Sequence, residues 1–295
     1  MAARNDMNPV GRFAPSPTGN LHMGSLYVAL ASYLSVKSRN GRWLLRIDDL
    51  DRDRTVPGAD RQIIDSLAMH GLHPDSPVIY QSSHTELYNA ALARLSASGR
   101  LFGCCCSRRD LEGSSIYPGT CRSRPSDPMA PTLRFQVMDK SLRFEDRAMG
   151  TQQVRLDLEI GDVVVRRRDA SIAYHLACAV DDGGGAVTEV LRGADLLGAT
   201  AIQINLMDAL DLQVPSYGHL PIMRNSHGQK LSKQSFARAL NPNQASENLW
   251  LCLASLGIPL PNAANDWLVA ELIEYGKRHF HIGLIPTELP VGMAE

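Results

Sequence analysis

Lysine, aromatic residues and long apolar runs are all scarce in this 295-residue sequence. Only five lysines accompany 25 arginines, and the net charge is −1 because 30 basic residues nearly balance 31 acidic ones. No overall positive field therefore recruits nucleic acid or an anionic membrane, and any RNA contact must come from local patches. No stretch reaches the roughly 18 apolar residues of a membrane span, and residues 1–11 lack the apolar run of a secretory signal. We expect a soluble, cytoplasmic protein without a membrane partner.

A hydrophobic content of 44% excludes intrinsic disorder, and the first hundred residues alternate strand and helix signals. An apolar run at Val10–Phe13 enters the Pro- and Gly-rich loop 14–20. Leucines then recur at helical spacing, namely Leu26, Leu30 and Leu34. A buried-strand candidate at 43–47 and helical patterns at 57–70 and 84–98 follow. This alternation predicts an α/β fold with an open parallel sheet.

The segment 101–182 interrupts this alternation. It holds four cysteines, many arginines and short extended runs such as 154–160, which predicts an inserted region with antiparallel strands. Alternation resumes with a strand at 187–191, a helix at about 194–212 and a strand near 220–223, and two further helices are predicted at 243–256 and 265–278. We therefore expect an α/β domain over residues 1–239, interrupted by an α+β insertion at about 101–182, and a helical C-terminal region over 240–295.

A first candidate for chemistry is the run PTGNLHMGS at residues 17–25, in the loop before the first predicted helix. A helix N-terminus presents unpaired amides and a partial positive charge, which suit a phosphate group. His22 can donate a hydrogen bond to a phosphate oxygen, and Gly24 leaves room for a ribose or base against the backbone. Taken alone, the motif is better explained by a structural loop with an incidental histidine.

The second candidate is KLSKQ at residues 230–234, about 200 residues later in a loop after a strand. Lys230 and Lys233 can both reach a pyrophosphate leaving group and neutralise the charge that grows in the transition state. Alone, this run would be a solvated basic loop. In this order along an alternating sheet, the two motifs together favour a nucleotide site.

Four runs in order resemble the class I glutamyl-tRNA synthetase family: GRFAPSPTG with LHMGS over 11–25, RIDDLD at 46–51, VLRGAD at 190–195 and KLSK at 230–233. The resemblance covers residues 10–239. It implies a Rossmann-type catalytic domain, the signature loops called HIGH and KMSKS, and an ATP-dependent ligase that activates L-glutamate as glutamyl-adenylate, with ATP and Mg²⁺ as substrate.

Length distinguishes between members of this family. Only 62 of the 295 residues follow Lys233, too few for the helical anticodon-binding region of members that charge tRNA(Glu). The chain therefore resembles the short paralogues, which attach glutamate to the cyclopentenediol of queuosine in the anticodon of tRNA(Asp). Two alternatives stay open: a minimal enzyme that charges a tRNA 3′ end, and an inactive zinc-stabilised RNA-binding module. A monomer is expected.

The resemblance also implies the residues of the site. Planar Arg forks bind a carboxylate in bidentate fashion, and a Tyr hydroxyl adds directional recognition. The implied glutamate-binding residues are Arg12, Phe13, Ala14, Pro15, Ser16, Asp48, Tyr174 and Arg192. The implied ATP-binding residues are His22, Gly24, Ser25 and Lys233. Catalysis would consist of positioning and charge stabilisation by His22 and Lys233, with Lys230 as a weaker candidate.

Asp48 departs from the family pattern, which usually has Glu at this position to hold the substrate's ammonium group. Asp keeps the charge but is one methylene shorter, roughly 1.3 Å in reach. Either the backbone shifts, a water bridges the gap, or recognition of the amino group weakens. The competing interpretation is that Asp48 merely ends a strand and pairs with Arg46 or Arg52.

The clustered cysteines suggest a metal more than disulfides, because a reducing compartment is expected. Cys104, Cys106 and Cys121 supply three thiolates, and three thiolates with a fourth ligand make a closed tetrahedral zinc site. Reduced, metal-free cysteines are the alternative. The short paralogues carry Cys-x-Cys, Tyr and Cys at this spacing, which implies Tyr117 as the fourth ligand of one structural Zn²⁺ per chain. Cys105 would then be a bystander.

Arginines of the inserted segment could line a path for the tRNA backbone. They occur in three groups: Arg108 with Arg109, Arg122 with Arg124, and residues 166–168. Solvated arginines that balance Asp and Glu are an equally good explanation.

Overall fold

A computed structural model describes residues 8–107, 109–114, 116–123, 130–138, 141–231, 238–261 and 267–292. The strands within these ranges are β1 Val10–Phe13, β2 Arg42–Ile47, β3 Ile79–Tyr80, β4 Leu101–Cys104, β5 Thr132–Phe135, β6 Ser141–Asp146, β7 Gly150–Arg155, β8 Val163–Arg166, β9 Glu189–Gly193 and β10 Ser216–Leu220. The α-helices there are α1 Met23–Lys37, α2 Ala59–Met69, α3 Thr85–Ala97, α4 Tyr174–Gly183, α5 Leu197–Ala209, α6 Ala245–Ser255 and α7 Val269–His279.

Two parallel groups of strands carry the fold. One has the order β1-β2-β3, and in the other β10 lies between β9 and β6, parallel to both. The two groups meet where the backbone amide of Thr188, just before β9, donates to the carbonyl of Val10 at 2.8 Å. The predicted open parallel α/β sheet is therefore confirmed.

The inserted segment contributes antiparallel strands, as predicted. β4, β5 and β8 form a three-stranded antiparallel sheet. β6 and β7 form an antiparallel hairpin whose β6 strand also pairs with β10, where Asp146 lies opposite Tyr217. Because of that pairing, strands β6 and β7 of the insertion extend the central sheet at one edge.

Helix α1 lies at the centre of the first apolar cluster. It is apolar on nearly all faces, as expected of a helix covered on every side, and its Leu30 and Leu34 are fully buried. The same cluster contains Trp43 from β2, Leu253 from α6 and Leu272 from α7. The C-terminal helices thus share a core with the sheet, and the domain boundary near residue 240 stays a prediction.

Glycine is required where α1 turns into β2. A Cβ built on Gly41 would lie 2.2 Å from the carbonyl oxygen of Pro9. Since no side chain tolerates such an approach, only glycine lets β1 and β2 start side by side.

Several local predictions were shifted or wrong. The extended run predicted at 154–160 ends with β7 at Arg155, and Leu156–Ile160 form a wide helical turn that buries Leu156. In that turn Glu159 accepts a hydrogen bond from the backbone amide of Arg155 at 2.6 Å. Helix α4 was not predicted, and β9 and β10 are displaced by two to four residues from the predicted strands. Within the described ranges, no helix is both long and apolar enough to cross a membrane.

Candidate active site

A cavity of about 460 Å³ opens at the carboxyl ends of β1, β2, β9 and β10, beside the first turn of α1. Ligands commonly bind at this edge of a parallel sheet. The predicted residues on its walls are Arg12, Phe13, Ala14, Pro15, Ser16, His22, Gly24, Ser25, Asp48, Tyr174, Arg192 and Lys230. The structure brings all of them together, whereas Lys233 lies outside the described residues. Their individual roles stay predictions.

Beneath the cavity, two buried arginines share one buried carboxylate. Arg12 donates to Asp182 through Nε and Nη2, at 3.1 and 2.9 Å, and Arg46 donates to it through Nη1 at 2.6 Å. The Asp182 side chain is fully buried. Burial by itself would raise the pKa of Asp182, but the two guanidinium groups hold it well below its usual range. The charge of Arg12 is therefore partly neutralised by the protein before any substrate arrives.

Asp48 lines the cavity and also pairs with Arg46. The Nε of Arg46 donates to Oδ1 of Asp48 at 2.7 Å, and the thiol of Cys178 lies 3.8 Å from Oδ2. Burial raises the pKa of this carboxyl, while Arg46 opposes the shift. The prediction of an ion pair with Arg46 is confirmed, and the predicted contact with a substrate ammonium group stays a prediction.

Tyr174 and Arg192 face the cavity from α4 and β9. Burial raises the pKa of the Tyr174 hydroxyl far above its ordinary value, so this group remains a neutral donor. Arg192 is 3% exposed, and its Nη1 is buried without a hydrogen-bond partner among the described residues. A buried guanidinium nitrogen that lacks a protein acceptor is a natural ligand for a carboxylate.

His22 is the N-cap of α1, as the sequence motif predicted for a helix start. Its Nδ1 accepts a hydrogen bond from the backbone amide of Ser25 at 3.2 Å, so the neutral ring carries its proton on Nε2. That Nε2 lies 3.2 Å from Oγ of Ser25, on the cavity wall. A Cβ on Gly24 would lie 3.2 Å from two atoms of the His22 ring. The capping role and a donor role toward phosphate are therefore compatible.

Lys230 is held at the cavity by an ion pair with Asp195, with Nζ 2.5 Å from Oδ2. Its side chain remains 45% exposed, which leaves the ammonium group accessible to a ligand in the cavity. The rest of this loop, residues 232–237, lies outside the described residues.

The residues of the cavity wall to which sequence reasoning assigned no role include Tyr27, Cys178 and Asp195. The Tyr27 hydroxyl is buried and has no hydrogen-bond partner in the part of the chain that the structure describes. Helical spacing carried a signal for Tyr27, which follows Gly24 by three residues in the helix predicted after the motif loop. Asp195 belongs to the VLRGAD run but carried no role there.

Three thiols and one phenol converge in the inserted segment. The Sγ atoms of Cys104, Cys106 and Cys121 lie within 4.8 Å of one another, and Cys106 and Cys121 are 3.7 Å apart. The Tyr117 hydroxyl lies 3.5 Å from Cys104 and 3.8 Å from Cys106. Zn–S bonds of about 2.3 Å in a tetrahedron place sulfurs about 3.8 Å apart. None of these cysteines forms a disulfide, and the four side chains fit a tetrahedral metal ion.

A second cavity of about 410 Å³ shares Tyr174 with the first. Its walls include His175, Arg134 and Arg167. It opens next to the cysteine cluster, since Tyr117 also lines it. Tyr174 therefore lines both cavities.

The arginine groups of the insertion are mostly engaged within the protein. Arg122 forms an ion pair with Asp162 at 2.6 Å, and Arg167 lies 3.6 Å from Asp51. Arg108 and Arg124 lie outside the described residues. A path for the tRNA backbone along these groups stays a prediction.

Comparison with known proteins is consistent with this geometry. The family model for the catalytic domain of class I tRNA synthetases (E and Q) matches residues 10–253. The chain is 44% identical to the glutamyl-Q tRNA(Asp) synthetase of Thiobacillus denitrificans, over 95% of this chain and 97% of that relative. It is 46% identical to the protein of the same name from Methylococcus capsulatus, over 94% of this chain and 92% of the relative.

Solved structures show the same fold. A glutamate tRNA ligase from Elizabethkingia meningosepticum, in complex with its amino acid, superposes with a TM-score of 0.81 at 21% identity. The match covers 98% of this chain and 68% of that one. The glutamate-tRNA synthetase of Elizabethkingia anophelis gives the same score at 22% identity, covering 98% of this chain and 69% of its own. The Rossmann-type fold is thereby confirmed.

Proposed function

This chain belongs to the class I tRNA synthetase family of E and Q catalytic domains, and from that premise we propose that it activates L-glutamate with ATP and transfers the glutamyl group to queuosine of tRNA(Asp). One observation carries the proposal. A single cavity joins the donors Arg192 and Tyr174 to the capped helix start at His22. Such a cavity suits a small carboxylate beside a nucleotide phosphate.

In the first step, an oxygen of the glutamate α-carboxylate attacks the α-phosphorus of ATP. The new O–P bond replaces the bond to the leaving oxygen of pyrophosphate, which departs with its Mg²⁺. The reaction needs no nucleophile from the protein. His22 Nε2–H and the amides at the start of α1 stabilise the charge on the phosphate, and Lys230 with Lys233 stabilises the leaving group.

In the second step, a hydroxyl of the cyclopentenediol attacks the carbonyl carbon of glutamyl-adenylate. An ester bond forms, AMP leaves, and the hydroxyl proton passes to solvent. The second cavity supports this acceptor, because it shares Tyr174 with the cavity that would hold the mixed anhydride. Near full-length relatives that carry the glutamyl-Q name support queuosine over a tRNA 3′ end.

We further propose that Cys104, Cys106, Cys121 and Tyr117 hold one structural Zn²⁺. Sulfur separations near those of a tetrahedral site support this assignment. The ion would stabilise a stretch of chain whose described residues form a small apolar cluster around Phe102. It takes no part in the reaction.

The decisive experiment is glutamate-dependent ATP/pyrophosphate exchange without tRNA, followed by transfer of labelled glutamate to tRNA(Asp) with and without queuosine. We expect exchange without tRNA, and label only on the modified tRNA. Label on tRNA lacking queuosine would instead identify an enzyme that charges a 3′ end. Absence of exchange with glutamate would refute the proposed activation.

A pair of tyrosine variants connects this activity to the cavity. Tyr174→Phe removes only the hydroxyl, and we expect the KM for glutamate to rise about tenfold while the KM for ATP stays within about twofold. Tyr275→Phe is the matched control, because its hydroxyl donates to the carbonyl of Pro259, away from the cavity. Equal effects of the two variants would contradict the assignment of Tyr174.

A further inference from the structure

Arg192 reaches the cavity from a layer of buried polar side chains behind it. Its Nε donates to Nε2 of His219 at 3.2 Å, and its Nη2 donates to Oγ1 of Thr200 at 2.7 Å. The guanidinium also lies 5.3 Å from the ring centre of Tyr217. Two of its three nitrogens are thus committed to the protein, and Nη1 alone has no partner among the described residues.

The carboxylate of Asp146 determines which ring nitrogen of His219 carries the proton. Its Oδ1 accepts from the backbone amides of Ala148, Met149 and His219 at 2.9 to 3.0 Å. Its Oδ2 lies 2.6 Å from Nδ1 of His219. These hydrogen bonds outweigh burial and keep the pKa of Asp146 below its ordinary value, so the carboxylate is ionised and can only accept. His219 therefore carries a proton on Nδ1.

The other ring nitrogen must then be an acceptor. Arg192 Nε–H can only donate to Nε2, and the hydroxyl of Thr200, whose Oγ1 lies 2.9 Å from the same nitrogen, can donate to it as well, so both contacts are compatible with an unprotonated Nε2 and a neutral ring. Burial lowers the pKa of His219 and outweighs the opposite effect of Asp146. In the resulting chain, Arg192 donates a hydrogen bond to His219, and His219 donates one to Asp146.

We propose that Asp146 and His219 are positioning residues that orient the guanidinium of Arg192 so that Nη1 meets a carboxylate of the amino-acid substrate. The inference rests on the proposed function, which supplies that carboxylate. Arg side chains have several rotatable bonds, and ordering them costs free energy on binding. Hydrogen bonds at Nε and Nη2 hold the guanidinium plane in place before the substrate arrives, which lowers the KM for glutamate.

The positioning residues also connect the inserted segment to the pocket. Asp146 is the last residue of β6, which the insertion adds to the edge of the central sheet, and His219 lies on β10. Both side chains are completely buried. The insertion therefore contributes to amino-acid binding through a residue that does not line the cavity itself.

The charged and titratable groups that face His219 come from four strands. They are Asp146 on β6, Arg192 on β9, Arg12 on β1, and Tyr217 on β10 itself, whose ring stacks at 6.2 Å. Protonation of Nε2 would place a cationic ring against Arg192. We therefore expect glutamate affinity to fall at low pH when His219 becomes charged, while ATP affinity is affected less.

The test measures KM and kcat in glutamate-dependent exchange for Asp146→Asn, His219→Gln and His219→Phe. In Asp146→Asn the amide can donate to Nδ1, which moves the ring proton to Nε2 and opposes the N–H of Arg192. We expect the KM for glutamate to rise about tenfold with the KM for ATP within about twofold. His219→Gln, whose side-chain oxygen can still accept from Arg192, should retain a lower KM for glutamate than His219→Phe.

Glu189→Gln is the matched control. Glu189 is also a buried carboxylate on β9, but it binds Arg39, Arg147 and Ser35 instead of Arg192. We expect this variant to lose stability with an unchanged KM for glutamate. An unchanged KM in Asp146→Asn, or the same rise in Glu189→Gln, would overturn the positioning role.

Nitrogen-15 NMR of the His219 ring in the wild-type protein provides a readout that does not depend on activity or on folding of the variants. The proposal predicts the neutral Nδ1–H tautomer at pH 7, and an Nε2–H tautomer or an imidazolium ring would overturn it. A wild-type protein with the Nδ1–H tautomer but no glutamate-dependent exchange would refute the proposed function and leave the hydrogen-bond chain established.

Discussion

Replacing Asp182 with asparagine removes the one carboxylate that Arg12 and Arg46 share beneath the cavity. Its side chain is fully buried and accepts three hydrogen bonds of 2.6 to 3.1 Å from the two guanidinium groups. Asparagine has nearly the same shape, but it is neutral and its NH₂ group would face an arginine N–H. Since little solvent reaches this layer, the two cations would lose much of their compensation.

We expect Asp182→Asn to lower the free energy of unfolding substantially. Breaking a buried ion pair by removing one partner typically costs about 3–5 kcal/mol, a substantial part of the roughly 5–15 kcal/mol by which proteins are stable. An exposed pair is the control: Glu274 lies 2.7 Å from Lys277, and its side chain is 57% exposed. Glu274→Gln should cost less than about 1 kcal/mol, because solvent screens that pair.

The assay is urea unfolding of Asp182→Asn, Glu274→Gln and the wild type between pH 7 and acid. The pKa of Asp182 is depressed in the folded chain, whereas an unfolded Asp titrates near pH 3.9. The stability contributed by Asp182 is therefore complete above about pH 4 and is lost as the pH falls further toward the depressed pKa. The difference in the free energy of unfolding between Asp182→Asn and the wild type should therefore become smaller as the pH falls below about 4. A difference in unfolding free energy below about 1 kcal/mol at pH 7, or a difference that does not change in acid, would refute the reasoning.

Three further predictions concern other parts of the chain. Gly24→Ala puts a Cβ 3.2 Å from the His22 ring, so in exchange assays the KM for ATP should rise several-fold more than the KM for glutamate, and equal rises would contradict the nucleotide assignment. We expect elemental analysis to find one zinc per chain in the wild type and in Cys252→Ser, which is buried outside the cluster, and none in Cys106→Ser. Zinc retained by Cys106→Ser would rule out the proposed ligand set. Burial lowers the pKa of His175 to about 4. Because the unfolded chain binds this proton near pH 6.5, the free energy of unfolding should be unaffected by His175 above pH 6.5 and should fall by up to about 1.4 kcal/mol per pH unit as the pH decreases toward 4. His175→Phe should flatten this part of the urea-midpoint profile, and an unaltered slope would contradict the assignment.

Local patterns were sufficient for the first part of the fold. β1 was predicted with the bounds observed, α2 and α3 begin and end within two residues of their predicted limits, and α1 contains the leucines whose spacing predicted a helix. In these elements the apolar residues recur at regular spacing, turn-forming residues mark the ends, and few neighbouring residues favour another structure. By contrast, α4 is a short helix that follows a strand-rich segment, and its apolar residues contact α3 and α5 from distant parts of the chain. Its sequence alone did not distinguish it from the surrounding extended runs.

The walls of the cavity were likewise predictable, but its electrostatics were not. The loop that contains His22 and Gly24, the arginine of β9 and the residue after β2 were assigned because the motifs that hold them resemble those of a known family, and all of them line the cavity. The partner of Arg12 is Asp182, 170 residues away, and no pattern near either residue indicates the pair. The sequence left Asp48 with two interpretations, and the tertiary structure confirmed its pairing with Arg46.

What the sequence by itself determined was therefore the alternating elements, the motif loops and many of the residues that line the cavity. The tertiary structure alone decided which charges are neutralised within the protein and which nitrogen of Arg192 remains available. The physical reason is that apolar periodicity and turn chemistry act over a few residues. Hydrogen bonds such as those from Arg192 to His219 and from His219 to Asp146 depend instead on the order in which distant strands pair.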